Sequence, residues 1–137
     1  MMTENEIARI AVDAAVFVHR GLGAGLLESV YETVLAKQLA KRGLDVKRQV
    51  PISIRFDGEV FEEGFRADIV LNDLVIIEIK SVEKTLPVHL KQLQTYLKLT
   101  GKKLGLLMNF NSALMKDGIA RCVNGLDEEV RLPNFAS

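Results

Sequence analysis

Apolar residues recur at helical spacing in the first forty positions of the chain. Thr3 and Glu6 form the sequence pattern of a capping box, which predicts that a first helix runs from about Glu4 to His19. A second helix is predicted from about Leu26 to Lys41, and Gly43 is placed to end it. The apolar positions of the first helix are Ile7, Ile10, Ala11, Ala14, Phe17 and Val18.

The middle of the chain changes to the two-residue alternation of β-strands. A strand is predicted from Val46 to Phe56, and Pro51 within it favours an edge strand or a bulge. Asp57-Gly58 is typical of a tight hairpin turn. The chain then returns from Glu59 to about Phe65 and continues into a strand segment at 68–71. These segments predict an antiparallel meander.

The remaining elements alternate between strand and helix. Leu74 to Ile79 is almost entirely apolar and β-branched, as expected for a central strand that is buried on both faces. A third helix is predicted from Pro87 to about Thr100, with the proline in its first turn and Gly101 at its end. Two further strands are predicted at 103–110 and 118–123.

This order of elements, α-α-β-β-β-α-β-β, predicts an α/β fold with one mixed central sheet flanked by helices. The 137 residues suffice for one domain, with a core at about 5–123 and a weakly patterned tail at 124–137. Apolar residues make up 48% of the chain and charged residues 26%, which is typical of a globular protein. The formal net charge is zero, so any nucleic-acid surface must be a local basic patch.

Targeting signals are not evident in the sequence. No apolar run is long enough to cross a membrane, and the first residues lack a basic region followed by an apolar one. The single cysteine, Cys122, excludes an internal disulfide framework. We therefore expect a cytoplasmic protein that makes no membrane contact.

The candidate chemistry lies in the predicted hairpin around Asn72-Asp73. Asp68 opens its first apolar run, and Glu78 and Lys80 close the second. Alternation along a strand places Glu78 and Lys80 on one face, with Ile79 pointing to the other. If the two runs pair, two carboxylates and an ammonium meet beside an apolar core, where such groups are costly unless they are paired or bound to metal.

A divalent cation would explain this cluster. Mg²⁺ prefers carboxylate oxygens and water, and it can activate water for attack on a phosphodiester. Asp68 and Glu78 are the candidate metal ligands, with the Ile79 carbonyl as a third, and Lys80 would assist the attacking water. The alternative is a surface Glu-x-Lys ion pair at the end of a strand, because the three-residue pattern is loose.

Two helical segments add polar residues at spacings that fit a site. Glu28 and Tyr31 are three residues apart and share a face of the second helix. On the third helix, Gln92 and Tyr96 are four residues apart, and His89 precedes Gln92 by one turn. These residues extend the candidate site beyond the hairpin.

With these residues the chain resembles a known family. Gly25, Glu28 and Tyr31 spell the signature of the GxxExxY family, which is assigned to the PD-(D/E)XK nuclease superfamily. The resemblance covers about 11–123 and implies a restriction-endonuclease-like core. It also implies that Asp68 is the motif aspartate, although Ala67 stands where the superfamily pattern has proline.

The resemblance implies further site residues. Glu78 and Lys80 match the (D/E)XK pair, and Glu28 matches a helix glutamate that assists the metal, often through water. Gln92 and Tyr96 match the Q-x-x-x-Y element near the metal and the DNA backbone. The expected substrate-binding residues are Tyr31, His89, Lys91, Gln92 and Tyr96.

Two of these assignments have simpler alternatives. His89 fits a solvated helix position as well as a substrate contact. Lys91 belongs to a basic side of the third helix region, which is either a solvated face or a patch that contacts phosphates. The lysines on that side are Lys84, Lys91, Lys98, Lys102 and Lys103.

The function implied by the resemblance is Mg²⁺-dependent hydrolysis of phosphodiester bonds, with Mn²⁺ able to substitute. DNA is the expected nucleic-acid substrate on family precedent, and RNA is not separated from it by the residues. The alternative is a non-catalytic module that binds nucleic acid or protein on a nuclease-derived fold. Because the chain contains no added DNA-reading module, we expect it to work as a homodimer or with an unidentified protein partner.

Overall fold

The computed structural model describes residues 1–126, apart from the side chain of Glu63. The predicted tail therefore lies outside the described residues from position 127 onwards. In chain order, the elements are α1 (Glu4–Leu22), α2 (Glu28–Lys41), β1 (Val46–Phe56), β2 (Glu59–Leu71), β3 (Val75–Lys80), α3 (Pro87–Thr100), β4 (Leu104–Asn109), a short 3-10 turn (Met115–Gly118) and β5 (Ile119–Val123).

The helix boundaries follow local sequence signals. The Thr3 hydroxyl accepts a hydrogen bond from the Glu6 N–H, and the Glu6 carboxylate accepts one from the Thr3 N–H, which confirms the predicted capping box. α1 runs one turn beyond its predicted end at His19 and is followed by Gly23, whose φ of 73° is a conformation that favours glycine. α2 begins at Glu28 rather than Leu26.

The strands form one mixed sheet in the order β1-β2-β3-β4-β5. β1, β2 and β3 are antiparallel neighbours, α3 crosses over to a parallel β4, and β5 pairs antiparallel with β4. The predicted α/β class and element order are confirmed. Pro51 lies in an edge strand, where its missing N–H breaks no ladder in the interior of the sheet.

Helices cover both faces of the sheet. α1 and α2 pack on the face that carries Ile77 and Ile79, whereas α3 packs on the face that carries Ile76. Every residue from Val75 to Ile79 is buried, as predicted for a central strand. Because burying one large aliphatic side chain contributes roughly 1.5–3 kcal/mol, β3 is firmly held in the fold.

The ladder between β2 and β3 is short, and this positions the site. The two strands pair only from Ile69 opposite Ile77 to Leu71 opposite Val75. β3 continues along β4 as far as Lys80, while β2 continues along β1 into the hairpin. A gap therefore opens between β2 and β3 just beyond Ile69 and Ile77.

Within residues 1–126, no helix has the length and apolar character that a membrane crossing would need.

Candidate active site

Asp68 and Glu78 occupy the gap where β2 and β3 separate. The Asp68 N–H donates to the Glu78 carboxylate over 2.9 Å, and the Ile79 N–H donates to the Asp68 carboxylate over 2.8 Å. Each side chain therefore satisfies a backbone group that the interrupted ladder leaves without a strand partner. The structure brings together the two acids that the hairpin pattern predicted.

The burial of this pair perturbs its protonation. Only 6% of Glu78 is exposed. Burial, followed by the negative charge of Asp68, raises the pKa of Glu78 to about 8, and the Asp68 N–H and the Lys80 charge only partly oppose this. The pKa of Asp68 is also raised, mainly by burial, although the hydrogen bond from Ile79 lowers it. Two mutually repelling carboxylates thus share one poorly hydrated spot.

Lys80 lies on the same face of β3 as Glu78 and is partly buried. Its positive charge partly opposes the rise in the pKa of both Asp68 and Glu78. The ammonium therefore acts on the two acids, as predicted from their spacing. The Lys80 carbonyl accepts a hydrogen bond from the Phe110 N–H over 2.9 Å, which holds the end of β3 against the chain that leaves β4.

α2 presents two glutamates to this region, four residues apart on one helical face. Glu28 is exposed, and its carboxylate accepts a hydrogen bond from the Ser81 N–H over 3.2 Å, next to Lys80. Only 6% of Glu32 is exposed, and its negative charge raises the pKa of both Asp68 and Glu78. The helix therefore contributes a second carboxylate that the sequence analysis missed.

Two β1 residues connect Glu32 to Asp68. Arg48 makes an ion pair with Glu32 at 2.9 Å. The Gln49 side-chain amide donates to Glu32 over 2.7 Å and to Asp68 over 3.4 Å. Gln49 has a φ of 52°, which is unusual in a strand. The only sequence signal for these contacts was the one-turn spacing of Glu32 from Glu28.

Tyr31 lies in the core. Its side chain has no exposed surface, and its ring stacks on Phe110 with centroids 4.6 Å apart. Its hydroxyl donates to the Gly23 carbonyl over 2.5 Å and accepts from the Leu26 N–H over 3.2 Å. The predicted substrate-binding role does not fit this placement, because every polar contact of the hydroxyl is made with the chain between α1 and α2.

The loop that Tyr31 holds is also attached to the end of β3. The Ser81 hydroxyl donates to the Leu26 carbonyl over 2.6 Å. Together with the bond from Ser81 to Glu28, this contact positions the start of α2 beside Lys80. The Gly25, Glu28 and Tyr31 signature therefore lies in the segment that joins α2 to the acidic centre.

Tyr96 on α3 lies beside the acidic pair. It is 4% exposed, and its ring packs against Phe65 with centroids 4.8 Å apart. Burial, followed by the negative charges of Glu78 and Asp68, raises its pKa to about 12. The hydroxyl therefore remains protonated and able to donate a hydrogen bond at neutral pH.

The other three α3 candidates differ in their surroundings. Gln92 is partly buried one turn before Tyr96, on the same face of the helix. His89 Nδ1 accepts a hydrogen bond from the Leu86 N–H over 3.0 Å, so this ring caps the start of α3. Lys91 is exposed. Of the α3 candidates, Tyr96 is therefore the one on which the charges of the two carboxylates act, whereas His89 has a local structural role.

The donor groups fit a hard divalent cation. Among the side chains that the structure describes, no group of three or more His, Cys, Asp and Glu residues is arranged to hold a metal. Mg²⁺ needs fewer protein ligands than such a group provides, because it keeps several waters and is commonly bound through one or two carboxylates. The Asp68 and Glu78 pair, whose repulsion a cation would relieve, suits that requirement.

The sheet order and this acid-lysine centre define a restriction-endonuclease-like α/β domain. A model of the PD-(D/E)XK nuclease superfamily matches residues 5–122. The chain therefore belongs to the PD-(D/E)XK nuclease superfamily, whose members are generally nucleases that use divalent metals.

Among solved structures, the chain is similar to the crystal structure of SSO0001 at 23% sequence identity. The match covers 90% of this chain and 68% of the other, with a TM-score of 0.44. No curated protein matches the chain significantly.

Proposed function

We propose that this protein is a metal-dependent nuclease that hydrolyses phosphodiester bonds, with DNA as its substrate. The observation that carries the proposal is the buried Asp68 and Glu78 pair next to Lys80. Burial, followed by the negative charge of Asp68, raises the pKa of Glu78 to about 8, and a bound cation would favour the ionised carboxylate. Membership of the superfamily supports a nucleic-acid substrate.

The metal would be held by the carboxylates of Asp68 and Glu78 and by the carbonyl of Ile79. When bound, a Mg²⁺ or Mn²⁺ ion supplies charge neutralisation at a phosphate and a lowered pKa for a coordinated water. The protein's own contribution is to hold the two carboxylates rigidly through their backbone hydrogen bonds.

Lys80 and the α2 glutamates would act around this centre. The Lys80 ammonium stabilises negative charge that develops on the attacked phosphate, or orients the attacking water. Glu28 is exposed beside Ser81 and can assist a metal through water. Glu32 fixes Gln49, and through Gln49 it fixes the Asp68 carboxylate.

The α3 residues supply the substrate-contacting groups of the proposal. Tyr96 can donate a hydrogen bond to a phosphate oxygen, since its raised pKa keeps the hydroxyl protonated. Gln92 and the exposed Lys91 would contact the nucleic-acid backbone, and His89 would do so through the ring nitrogen that does not cap α3. Tyr31 would support the site through the loop before α2.

The buried signature tyrosine and the Glu28 contact support assignment of the chain to the GxxExxY family. A second subunit, or a protein partner, would supply additional contact to the nucleic acid. DNA is preferred to RNA only on family precedent.

The test is cleavage of single-stranded, double-stranded and branched DNA and of RNA with Mg²⁺ or Mn²⁺. Asp68→Asn removes one charge but keeps an oxygen that accepts from Ile79, so it should fold and lose cleavage by at least 100-fold, the scale of losing one preorganised electrostatic group. Asp57→Asn is the matched control, because Asp57 lies in the exposed hairpin turn with a φ of 53° that asparagine also tolerates. Undiminished cleavage by Asp68→Asn would refute the site assignment.

One observation favours a second candidate function. The oxygens of Asp68, Glu78 and Glu32 already accept hydrogen bonds within the protein, which is also compatible with a non-catalytic binding module. If the wild type binds nucleic acid but leaves every substrate intact with either metal, the binding module replaces the nuclease as the proposed function.

A further inference from the structure

A surface cavity of about 540 Å³ lies between the end of α1 and the chain that follows β4. His19, Arg20 and Lys116 line it, and none of the described residues lining it is acidic. The whole chain has equal numbers of basic and acidic residues, 18 of each, so this is a local excess of positive charge. Asp117, next to Lys116, is exposed but does not line the cavity.

Three other surface cavities within the described residues each include an acid. One contains Asp13 beside basic residues, and another contains Glu62. In the third, Asp73 makes an ion pair with Lys102 at 3.1 Å, which leaves the charge of Lys47. The cavity with His19, Arg20 and Lys116 is therefore better suited to an anion than these three.

One wall of this basic cavity is built rigidly. His19 Nε2 is 2.8 Å from the Ser112 carbonyl, which fixes the imidazole between α1 and the loop after β4. The Ser112 N–H donates to the Asn109 carbonyl over 3.4 Å, so that loop is in turn held to the end of β4. A preorganised wall lowers the entropy cost of binding a ligand.

The basic cavity is connected to the acidic centre through two short segments. Gly23 lines the cavity, and its carbonyl accepts a hydrogen bond from the Tyr31 hydroxyl. In the same loop, the Leu26 carbonyl accepts one from the Ser81 hydroxyl. On the other side, the Asn109 side chain exchanges two hydrogen bonds with the backbone of Val82, at 3.1 and 2.9 Å. Both links end within two residues of Lys80, so hydrogen bonds join the loops that line the cavity to the end of β3.

We propose that the basic cavity of His19, Arg20 and Lys116 binds a backbone phosphate of the nucleic-acid strand, flanking the bond at the Asp68 and Glu78 centre. This inference rests on the proposed function. Arg20 and Lys116 supply the positive charge, and His19 supplies a fixed ring at the cavity wall. The apolar side chains of Val16 and Leu114 in the same wall suit the sugar and base of that nucleotide.

The test measures binding without cleavage. A fluorescently labelled single-stranded oligonucleotide is titrated in EDTA, over a range of salt, with wild type and with Arg20→Gln/Lys116→Gln. Each phosphate contact to a single strand contributes about 0.7 to the slope of log K against log salt. Losing two contacts should therefore reduce the slope by about 1.4 and weaken binding roughly 25-fold at 0.1 M salt. Lys37→Gln/Lys41→Gln removes the same charge from exposed positions of α2 and should bind more nearly like wild type.

The outcomes separate this inference from the proposed function. If wild type binds and the two double variants lose affinity equally, the cavity is not a phosphate site, although the nuclease proposal stands. If wild type binds no strand in EDTA, the inference fails, and cleavage with Mg²⁺ or Mn²⁺ decides the nuclease proposal separately. Binding of inorganic phosphate that Arg20→Gln/Lys116→Gln abolishes, with no change in strand binding by that variant, would also overturn the inference, since it would indicate a site for a free anion. An unchanged rise in Tm with Mn²⁺ in Arg20→Gln/Lys116→Gln would show that the acidic centre is intact.

Discussion

Asp68 and Glu78 each accept a hydrogen bond from the backbone of the other's strand. The Asp68 N–H donates to the Glu78 carboxylate over 2.9 Å, and the N–H of Ile79, the residue after Glu78, donates to the Asp68 carboxylate over 2.8 Å. Two charged side chains thereby replace two ladder bonds at the point where the strands part. The arrangement is rigid, but it confines two carboxyl groups that repel each other when both are ionised.

The metal-free protein should lose stability as pH rises from about 4.5 to about 8. Burial and the Asp68 charge raise the pKa of Glu78 from 4.5 to about 8 in the folded protein, so the folded state holds this proton more tightly than the unfolded state. The stability that this proton contributes to the folded state is complete below about pH 4.5 and is lost as the pH rises through about 8. Thermal unfolding in EDTA across this range measures the effect.

Glu78→Gln should flatten that part of the pH profile, because glutamine cannot ionise but can still accept from Asp68. Glu28→Gln, at an exposed glutamate, is the control and should keep the wild-type slope. A wild-type slope retained in Glu78→Gln would assign the pH dependence to another group.

Mn²⁺ and Mg²⁺ should raise Tm more at pH 8.5 than at pH 6. A carboxylate must be ionised to bind a metal, and the raised pKa of Glu78 leaves it largely protonated at pH 6. Adding EDTA should reverse the increase. Differential scanning calorimetry of wild type and Asp68→Asn provides the measurement, and an equal increase in both proteins would place the metal elsewhere.

Glu32→Ala should destabilise the protein by about 1–3 kcal/mol, because it leaves Arg48 and Gln49 without the carboxylate that accepts from both. It should also reduce cleavage, since Gln49 would no longer be held against Asp68. Urea denaturation gives the change in free energy of unfolding. Lys37→Ala, at an exposed position on the same helix, should change it by less than about 0.5 kcal/mol.

Tyr31→Phe should reduce stability, whereas Tyr96→Phe should reduce binding of nucleic acid. The Tyr31 hydroxyl joins Gly23 to Leu26 inside the core, so its removal should cost about 1–3 kcal/mol of stability while the stacking on Phe110 remains. Tyr96→Phe should leave stability nearly unchanged and weaken binding of nucleic acid, which chemical denaturation and fluorescence anisotropy would measure. A loss of stability in Tyr96→Phe alone would reverse these roles.

Much of the architecture could be predicted from local pattern. Helical and strand periodicity placed α3 at Pro87–Thr100 and β1 at Val46–Phe56, as observed. The hairpin pattern also brought Asp68 and Glu78 together, because residues that flank a tight turn become neighbours through chain connectivity alone. Boundaries were less certain: α1 extends to Leu22 and α2 begins at Glu28, where loop geometry decides the end of each helix.

The sequence by itself thus determined the order of elements, the buried central strand and the acid-lysine cluster around one hairpin, since each depends on residues close together in the chain. Only the tertiary structure decided that Glu32 and Gln49 meet Asp68, that Tyr31 is buried, and that His19 and Lys116 share a cavity. These relationships join residues from separate elements. They depend on how α1 and α2 pack on the sheet and on the irregular backbone at Gln49, which no local periodicity encodes.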